Sequence, residues 1–240
     1  MKLDILVIAA HPDDAELSCS GTIMSQIAKG MKVGIVDLTG GELGTRGTAE
    51  TRKNEAIEAS RIMGISVREN LAFADGFFQN DKKHQLELIK VIRKYQPDIV
   101  LANTIDDRHP DHAKAAKLTY DACFYSGLKK IKTKLKDEIQ ENWRPNRVFY
   151  YIQSNYVKPD FVVDISDFWE KKVEAVKAFK TQFHTGESES SGNQTFISTP
   201  TFMRFLESRA REYGQHVGVE FAEGFKTAKP LAVDNLFHFI

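Results

Sequence analysis

The sequence predicts an α/β fold built on a doubly wound, mostly parallel sheet with helices on both faces. Three observations carry this. Leu3 to Ala10 and Val33 to Thr39 are continuous apolar runs, the pattern of strands buried on both faces. Apolar residues at helical spacing fill the interval between them. The same rhythm then repeats along the first half of the chain.

Taken in order, a strand over Leu3 to Ala10 ends in a turn at His11 to Asp14. A helix follows with Leu17, Met24, Ile27 and Ala28 on one face, stopping at Gly30. After the Val33 strand, Ala56, Ala59, Ile62 and Met63 mark a second helix that Gly64 ends as a C-terminal glycine. A strand near Leu71 to Phe73, a helix with Leu86, Ile89 and Ile92, and a strand over Ile99 to Ala102 come next. A further helix runs from about His112 to Phe124. Lys129 to Arg147 carries five lysines between 129 and 136 and then mixed charge, and reads as a solvated helix or excursion rather than a basic interaction patch. Strands over Val148 to Ile152 and Phe161 to Ile165 precede a helix with Trp169, Val173 and Val176. The polar stretch Gly186 to Asn193 reads as a lid or a plain surface loop. A last helix uses Phe202, Phe205, Leu206, Arg209 and Tyr213, and Val217, Val219 and Phe221 alternate as an edge strand. With no internal repeat and no linker, residues 1–240 read as one domain.

Length and composition bound the function. At 240 residues and 42% apolar, the chain buries a sizeable core without disulfides. Cys19 and Cys123 have no metal or redox spacing, which fits a reduced, cytoplasmic setting. Thirty-three basic residues balance 33 acidic ones, which argues against nucleic acid or an anionic membrane as the main partner. The apolar run Ile5 to Ala10 is too short for a signal peptide core or a membrane span, and no other segment is long enough to span.

Ligands of doubly wound sheets bind at the carboxyl ends of the strands. Two chemistry-bearing segments fall there: His11-Pro12-Asp13-Asp14, and Asp106-Asp107-Arg108-His109-Pro110-Asp111-His112. A catalytic zinc takes three His or carboxylate ligands and keeps a position open. His11 and Asp14 can converge on one ion, and His112 is our choice to complete the set. Asp13, adjacent to a ligand but aimed elsewhere, can accept a proton from the attacking water. His109, if protonated, would stabilise an oxyanion or protonate the leaving group, with Asp111 orienting it. Each aspartate has a plainer reading: Asp13 or Asp14 as the cap of a helix starting at Ala15, Asp111 as the cap of one starting at His112. The joint placement of both segments at strand ends favours the metal site. His84, His184, His216 and His238 read as ordinary polar residues. The glycine-rich run Gly40 to Gly47 lacks either nucleotide-loop order, so it reads as a place where a substrate approaches the backbone. Arg46, Arg52 and Arg108 are the cations placed to hold an anionic group, although Arg52 can instead pair with Glu55 or Glu58.

The segments A-H-P-D-D-A-E, G-G-E-x-G-T-R-G, T-R-x-x-E-A, P-D-I-V and R-H-P-D-H-A together resemble the PIG-L (LmbE-like) family of zinc-dependent N-acetylglucosamine deacetylases. The resemblance runs over nearly the whole chain. It implies a Rossmann-like, LmbE-like fold and one zinc per chain, held by His11, Asp14 and His112. It also implies Asp13 as general base, His109 with Asp111 behind it, Arg52 and Arg108 as substrate contacts, and a homo-oligomer. Residues 121–128, 162–165 and 207–211 look most like the bacillithiol-biosynthesis branch, which deacetylates N-acetylglucosaminyl malate to glucosaminyl malate and acetate. The alternatives are a deacetylase of another N-acetylglucosamine conjugate such as chitobiose, and a non-catalytic, metal-dependent sugar-binding protein. A two-carboxylate glycosidase is a poor match, because Asp13 and Asp14 share one turn. Phe77-Phe78 and the apolar end Leu236 to Ile240 are candidate contacts between copies, or pack on the chain's own core.

Overall fold

A computed structural model describes residues 1–183, 194–235 and 237. Strands and helices alternate as expected: β1 (Ile5–Ala9), α1 (Asp14–Ala28), β2 (Val33–Thr39), α2 (Ala49–Met63), β3 (Val67–Phe73), α3 (Lys82–Tyr95), β4 (Ile99–Ala102) and α4 (Pro110–Ser126). After them come β5 (Lys134–Leu135), β6 (Glu138–Ile139), β7 (Arg147–Tyr151), β8 (Phe161–Asp164), α5 (Trp169–Lys177), α6 (Pro200–Val217) and β9 (Ala222–Thr227). The main sheet has the order β3-β2-β1-β4-β7-β9-β8. Neighbours from β3 to β7 are parallel, and β9 is antiparallel to both β7 and β8.

Alternation along β1 shows why its run is wholly apolar. Ile5 and Val7 pack on one face with α1, α2, α5 and α6, while Leu6 and Ile8 pack on the other with α3 and α4. Both faces of the sheet are therefore covered, which is the doubly wound arrangement. Among the described residues no helix is long and apolar enough to cross a membrane.

Two local expectations are narrowed and one is corrected. The Lys129 to Arg147 segment is the excursion and not the helix. It carries the hairpin β5–β6, turned by Lys136 and Asp137, whose φ values of 48° and 67° are those of a two-residue hairpin turn. The last strand is not Val217 to Phe221 and is not an edge. Helix α6 continues through Val217 until Gly218, at φ 77°, closes it, and β9 then begins at Ala222 in the interior of the sheet. The pair Phe77-Phe78 divides: Phe78 is fully buried in the core and Phe77 is 72% exposed. Leu236, His238 to Ile240, His184 and the Gly186 to Asn193 stretch lie outside the described residues.

Helix α1 is broken at Cys19, where φ is −142°, and a buried ion pair fills the break. Lys172 Nζ, on α5, donates to the carbonyls of Glu16 (3.2 Å) and Leu17 (2.9 Å) and pairs with Glu223 Oε1 at 2.6 Å. Glu223, on β9, accepts from the Gly21 N–H (3.1 Å) and the Thr22 N–H (2.7 Å). The lysine thus caps the end of the first half-helix and the glutamate caps the start of the second. This fixes the short first half, which carries Asp14.

Arg68 anchors the same half-helix from β3. It pairs with Glu16 Oε1 at 2.5 Å and forks onto both Asp37 oxygens at 2.7 and 2.9 Å, with all three side chains buried. Arg68→Met leaves two facing carboxylates without a cation, and the expected cost is about 3–5 kcal/mol, read as a lower urea midpoint at unchanged m. Burial already raises the Glu16 pKa against the pull of Arg68, and losing the guanidinium raises it further. A folded-state pKa above the unfolded value gives stability that is lost as pH rises, so the deficit should be larger at pH 8 than at pH 5. An unfolding free energy within about 0.5 kcal/mol of the parent, the scale of a surface substitution, would show that the network is not needed.

Candidate active site

The order in which strands are added reverses at β1: β2 and β3 lie on one side, β4 and β7 on the other. The crevice at such a switch point opens at the carboxyl ends of β1 and β4, which are followed by the two segments singled out in the sequence. Asn103, just past β4, stitches them together. Its Oδ1 accepts from the Ala10 N–H at 2.9 Å, and its Nδ2 donates to Asp14 Oδ2 at 3.0 Å and Gln153 Oε1 at 2.9 Å. Above lies a cavity of about 320 Å³, whose lining includes His11, Asp13, Asp14, His109 and His112.

Asp14 sits between two imidazoles. Its Oδ2 is 3.6 Å from His11 Nδ1 and its Oδ1 is 3.1 Å from His112 Nε2. Gln153 Nε2 holds Oδ1 from the side at 2.9 Å. The far nitrogen of each ring meets another carboxylate: His11 Nε2 is 3.0 Å from Asp75 Oδ1, and His112 Nδ1 is 2.5 Å from Asp107 Oδ2. A histidine that presents one nitrogen to a shared acceptor and the other to a carboxylate is the arrangement of a metal ligand with its supporting group. His11, His109 and His112 also each bring a ring nitrogen within 4.8 Å of the others, and His11, Asp75 and Asp111 do the same. Imidazole and carboxylate donors without thiolate suit a divalent cation such as zinc.

The protonation pattern without a cation shows how much negative charge converges here. Burial disfavours a charged His11, yet Asp111, Asp14 and Asp75 raise its pKa well above the ordinary value. His112 is lifted to about 9, with burial outweighed chiefly by Asp14 and Asp107. Asp14 is held well below the usual carboxylate range, its burial overcome by the two imidazoles. These carboxylates draw positive charge to the imidazoles, the electrostatics that a bound cation would satisfy.

Asp13 lies beside them in a strained conformation. It is the N-terminal cap residue of α1, but at φ 114° its side chain makes no capping bond. Instead Oδ2 accepts from Arg52 Nη2 at 2.7 Å. Burial pushes the Asp13 pKa up to about 7 despite that guanidinium. Arg52 does not pair with Glu55 or Glu58. Its remaining bonds go to the carbonyls of Pro12 (2.6 Å) and Gly41 (3.1 Å). The glycine run explains how the guanidinium fits: a Cβ on Gly41 would lie 1.9 Å from Arg52 Nη1. The glycine thus admits an arginine of the chain itself.

His109 caps α4, its Nδ1 accepting from the Asp111 N–H at 3.3 Å. Burial and the two neighbouring imidazoles lower its pKa. A neutral ring whose Nδ1 accepts this N–H carries its proton on Nε2, which can then donate a hydrogen bond. Asp111 neither caps α4 nor backs the His109 ring with its carboxylate. Its Oδ2 accepts from the Gly76 N–H at 2.8 Å and lies 3.4 Å from His11 Nε2, and its Oδ1 pairs with Lys114 at 2.7 Å. The reason is the first turn of α4, which directs residue 111 away from residue 109 and toward the end of β3.

Of the three arginines singled out, Arg52 and Arg108 line the cavity. Arg46 is not part of that lining, and its Nε donates to the Thr181 carbonyl at 2.8 Å. Sequence reasoning missed Asp75, Asn103, Gln153 and Arg209, and left Asp107 without a role. His84 is an ordinary polar residue, bonded to Asp81 at the start of α3.

The sequence model of one family, PIG-L, described as GlcNAc-PI de-N-acetylase, matches residues 6–123. The diacetylchitobiose deacetylase of Thermococcus kodakarensis is 29% identical over 236 residues, 92% of this chain and 82% of its own. A Bacillus subtilis protein described as probable N-acetyl-alpha-D-glucosaminyl L-malate deacetylase 2 is 27% identical over 199 residues, 76% of this chain and 84% of its own. Among solved structures, the conserved protein TT1542 of Thermus thermophilus superimposes with a TM-score of 0.86 at 36% identity, covering 98% of each chain.

Proposed function

The chain belongs to the PIG-L family, and from that premise we propose that it is a metal-dependent hydrolase that removes the acetyl group from an N-acetylglucosamine conjugate. One observation supports this most: Asp14 is held between His11 and His112, each ring is backed by its own carboxylate, and Asp13 stands next to them on the cavity wall. His11, Asp14 and His112 would hold the ion, zinc by donor type. When bound, it supplies a Lewis acid for an amide carbonyl.

The chain's own groups do the rest. Asp13, raised toward neutrality by burial and oriented by Arg52, takes a proton from the attacking water. The His109 Nε2–H donates to the developing oxyanion. As the tetrahedral adduct collapses, the proton passes from Asp13 to the departing nitrogen, so that water and amide become acetate and amine.

The bacillithiol branch expected from the sequence is not singled out. A diacetylchitobiose deacetylase shares slightly more identity over more of the chain than a malate deacetylase does, so similarity supports an N-acetylglucosamine conjugate, chitobiose-type ones included, and leaves the aglycone to the cavity's own residues. The test is acetate release from N,N′-diacetylchitobiose, N-acetylglucosaminyl malate and inositol-linked N-acetylglucosamine, with and without a chelator. Chelator-sensitive release from at least one of these is expected. Binding of all three with release from none would leave a metal-dependent sugar-binding protein.

A further inference from the structure

Five arginines in this fold are buried or half-buried, and four have identifiable work. Arg52 holds Asp13, Pro12 and Gly41, and Arg68 holds Glu16 and Asp37. Arg93 ties the carbonyls of Ser126, Leu128 and Ile131 to the Thr133 hydroxyl, and Arg46 is bonded to the Thr181 carbonyl. The fifth, Arg209 on α6, has no hydrogen bond or ion pair among the described residues, and its guanidinium lies over the Phe205 ring, 5.5 Å from its centroid. It lines the active-site cavity. Burial pushes its pKa below the usual value, with Tyr213, Glu223 and Asp107 only partly opposing.

A second guanidinium lines the same cavity. The Arg108 side chain stacks over Phe196 at 4.7 Å and likewise makes no ion pair among the described residues. The two arginines come from different elements, the β4–α4 loop and α6. Phe196, Phe202 and Phe205 lie alongside them in the lining. Arg108 is exposed and Arg209 half-buried; a guanidinium partly withdrawn from water without an acceptor gains from a ligand that supplies one, and its planar fork matches a carboxylate or a phosphate.

We propose that Arg209, assisted by Arg108, forms an anion subsite in the active-site cavity and selects conjugates whose aglycone carries a carboxylate or phosphate. The inference rests on the deacetylase reading only for the sugar; the charge preference follows from the two unpaired guanidinium groups. Family membership does not dictate it, since diacetylchitobiose is neutral. The match to the PIG-L sequence model ends at residue 123, well before α6.

The test compares three probes: methyl N-acetylglucosaminide, N-acetylglucosamine 1-phosphate and N-acetylglucosaminyl malate. Affinities are read by titration calorimetry on metal-loaded protein in the Asp13→Asn background, so that turnover does not intrude. At least one anionic probe should bind about ten- to a hundredfold more tightly than the neutral glycoside, the range for a charge-assisted contact. Arg209→Met should remove about tenfold or more of that preference, and Arg209→Lys should restore part of it. Preference confined to the malate probe names a carboxylate, and preference confined to the phosphate probe names a phosphate. Equal affinity for neutral and anionic probes, or an equal loss for all of them in Arg209→Met, overturns the subsite. Acetate release by the parent chain is scored separately: its absence on every probe, with the charge preference intact, sinks the hydrolase reading alone.

Discussion

Alanine in place of His112 is expected to strip the metal from a folded chain and to lower acetate release by about a thousandfold or more, the scale of a Lewis acid worth several kcal/mol. His112 is 7% exposed and touches Asp14 on one side and Asp107 on the other. Its loss removes one donor and also the group that holds Asp14 against the site. Asp107→Asn is the informative partner variant. Asp107 Oδ1 accepts the N–H groups of Ser154 (3.1 Å) and Asn155 (2.9 Å), which a carboxamide oxygen can still satisfy. The carboxamide NH2 then faces His112 Nδ1, so the acceptor that fixes the imidazole tautomer is lost together with the charge, and metal should remain bound about ten- to a hundredfold more weakly. Competition against a chelating dye measures both. If His11→Ala and His112→Ala each retain one metal per chain, the ligand set is wrong.

What could be read from the sequence depended on whether a residue's partners were near in the chain. β1 and β2 are legible because they are buried on both faces, so nearly every position is apolar or small. The first half of β3 was missed because Val67-Arg68-Glu69-Asn70 does not read as a strand. Its Arg68 is polar because it serves Glu16 and Asp37, 52 and 31 residues away. β9 was displaced for the same reason. Ala222-Glu223-Gly224 has no strand signature, since Glu223 answers the break in α1 and Gly224 lies against the Tyr213 ring. In the site, His11, Asp13, Asp14, His109 and His112 were legible because two strand ends carry them in short motifs. The groups that support them were not. Asp75 sits in an unremarkable Asp-Gly turn, and Gln153 and Arg209 lie on elements that reach the cavity only through the sheet order and the packing of α6.

Asparagine at position 13 is expected to lower the rate about a hundred- to ten-thousandfold, the range for a general base, while one metal per chain is retained. The substitution isolates the proton transfer. Asparagine is among the few residues enriched at positive φ, so the backbone at φ 114° is not newly strained. Its carbonyl oxygen can still accept from Arg52 Nη2, so the guanidinium stays in the space beside Gly41. What disappears is a carboxylate able to gain and return a proton. Burial lifts that carboxylate to about 7 in the metal-free chain, and a cation held by His11, Asp14 and His112 lowers it by direct attraction. The parent's kcat/KM should therefore decline as pH falls through a value below about 7, where Asp13 takes up its proton, and this limb should be absent from whatever activity the variant keeps. A variant with parental rates would remove Asp13 as the base. A variant that loses the metal as well would make it part of the ion's cradle. Retained metal, lost rate and a missing acid limb together separate proton transfer from both.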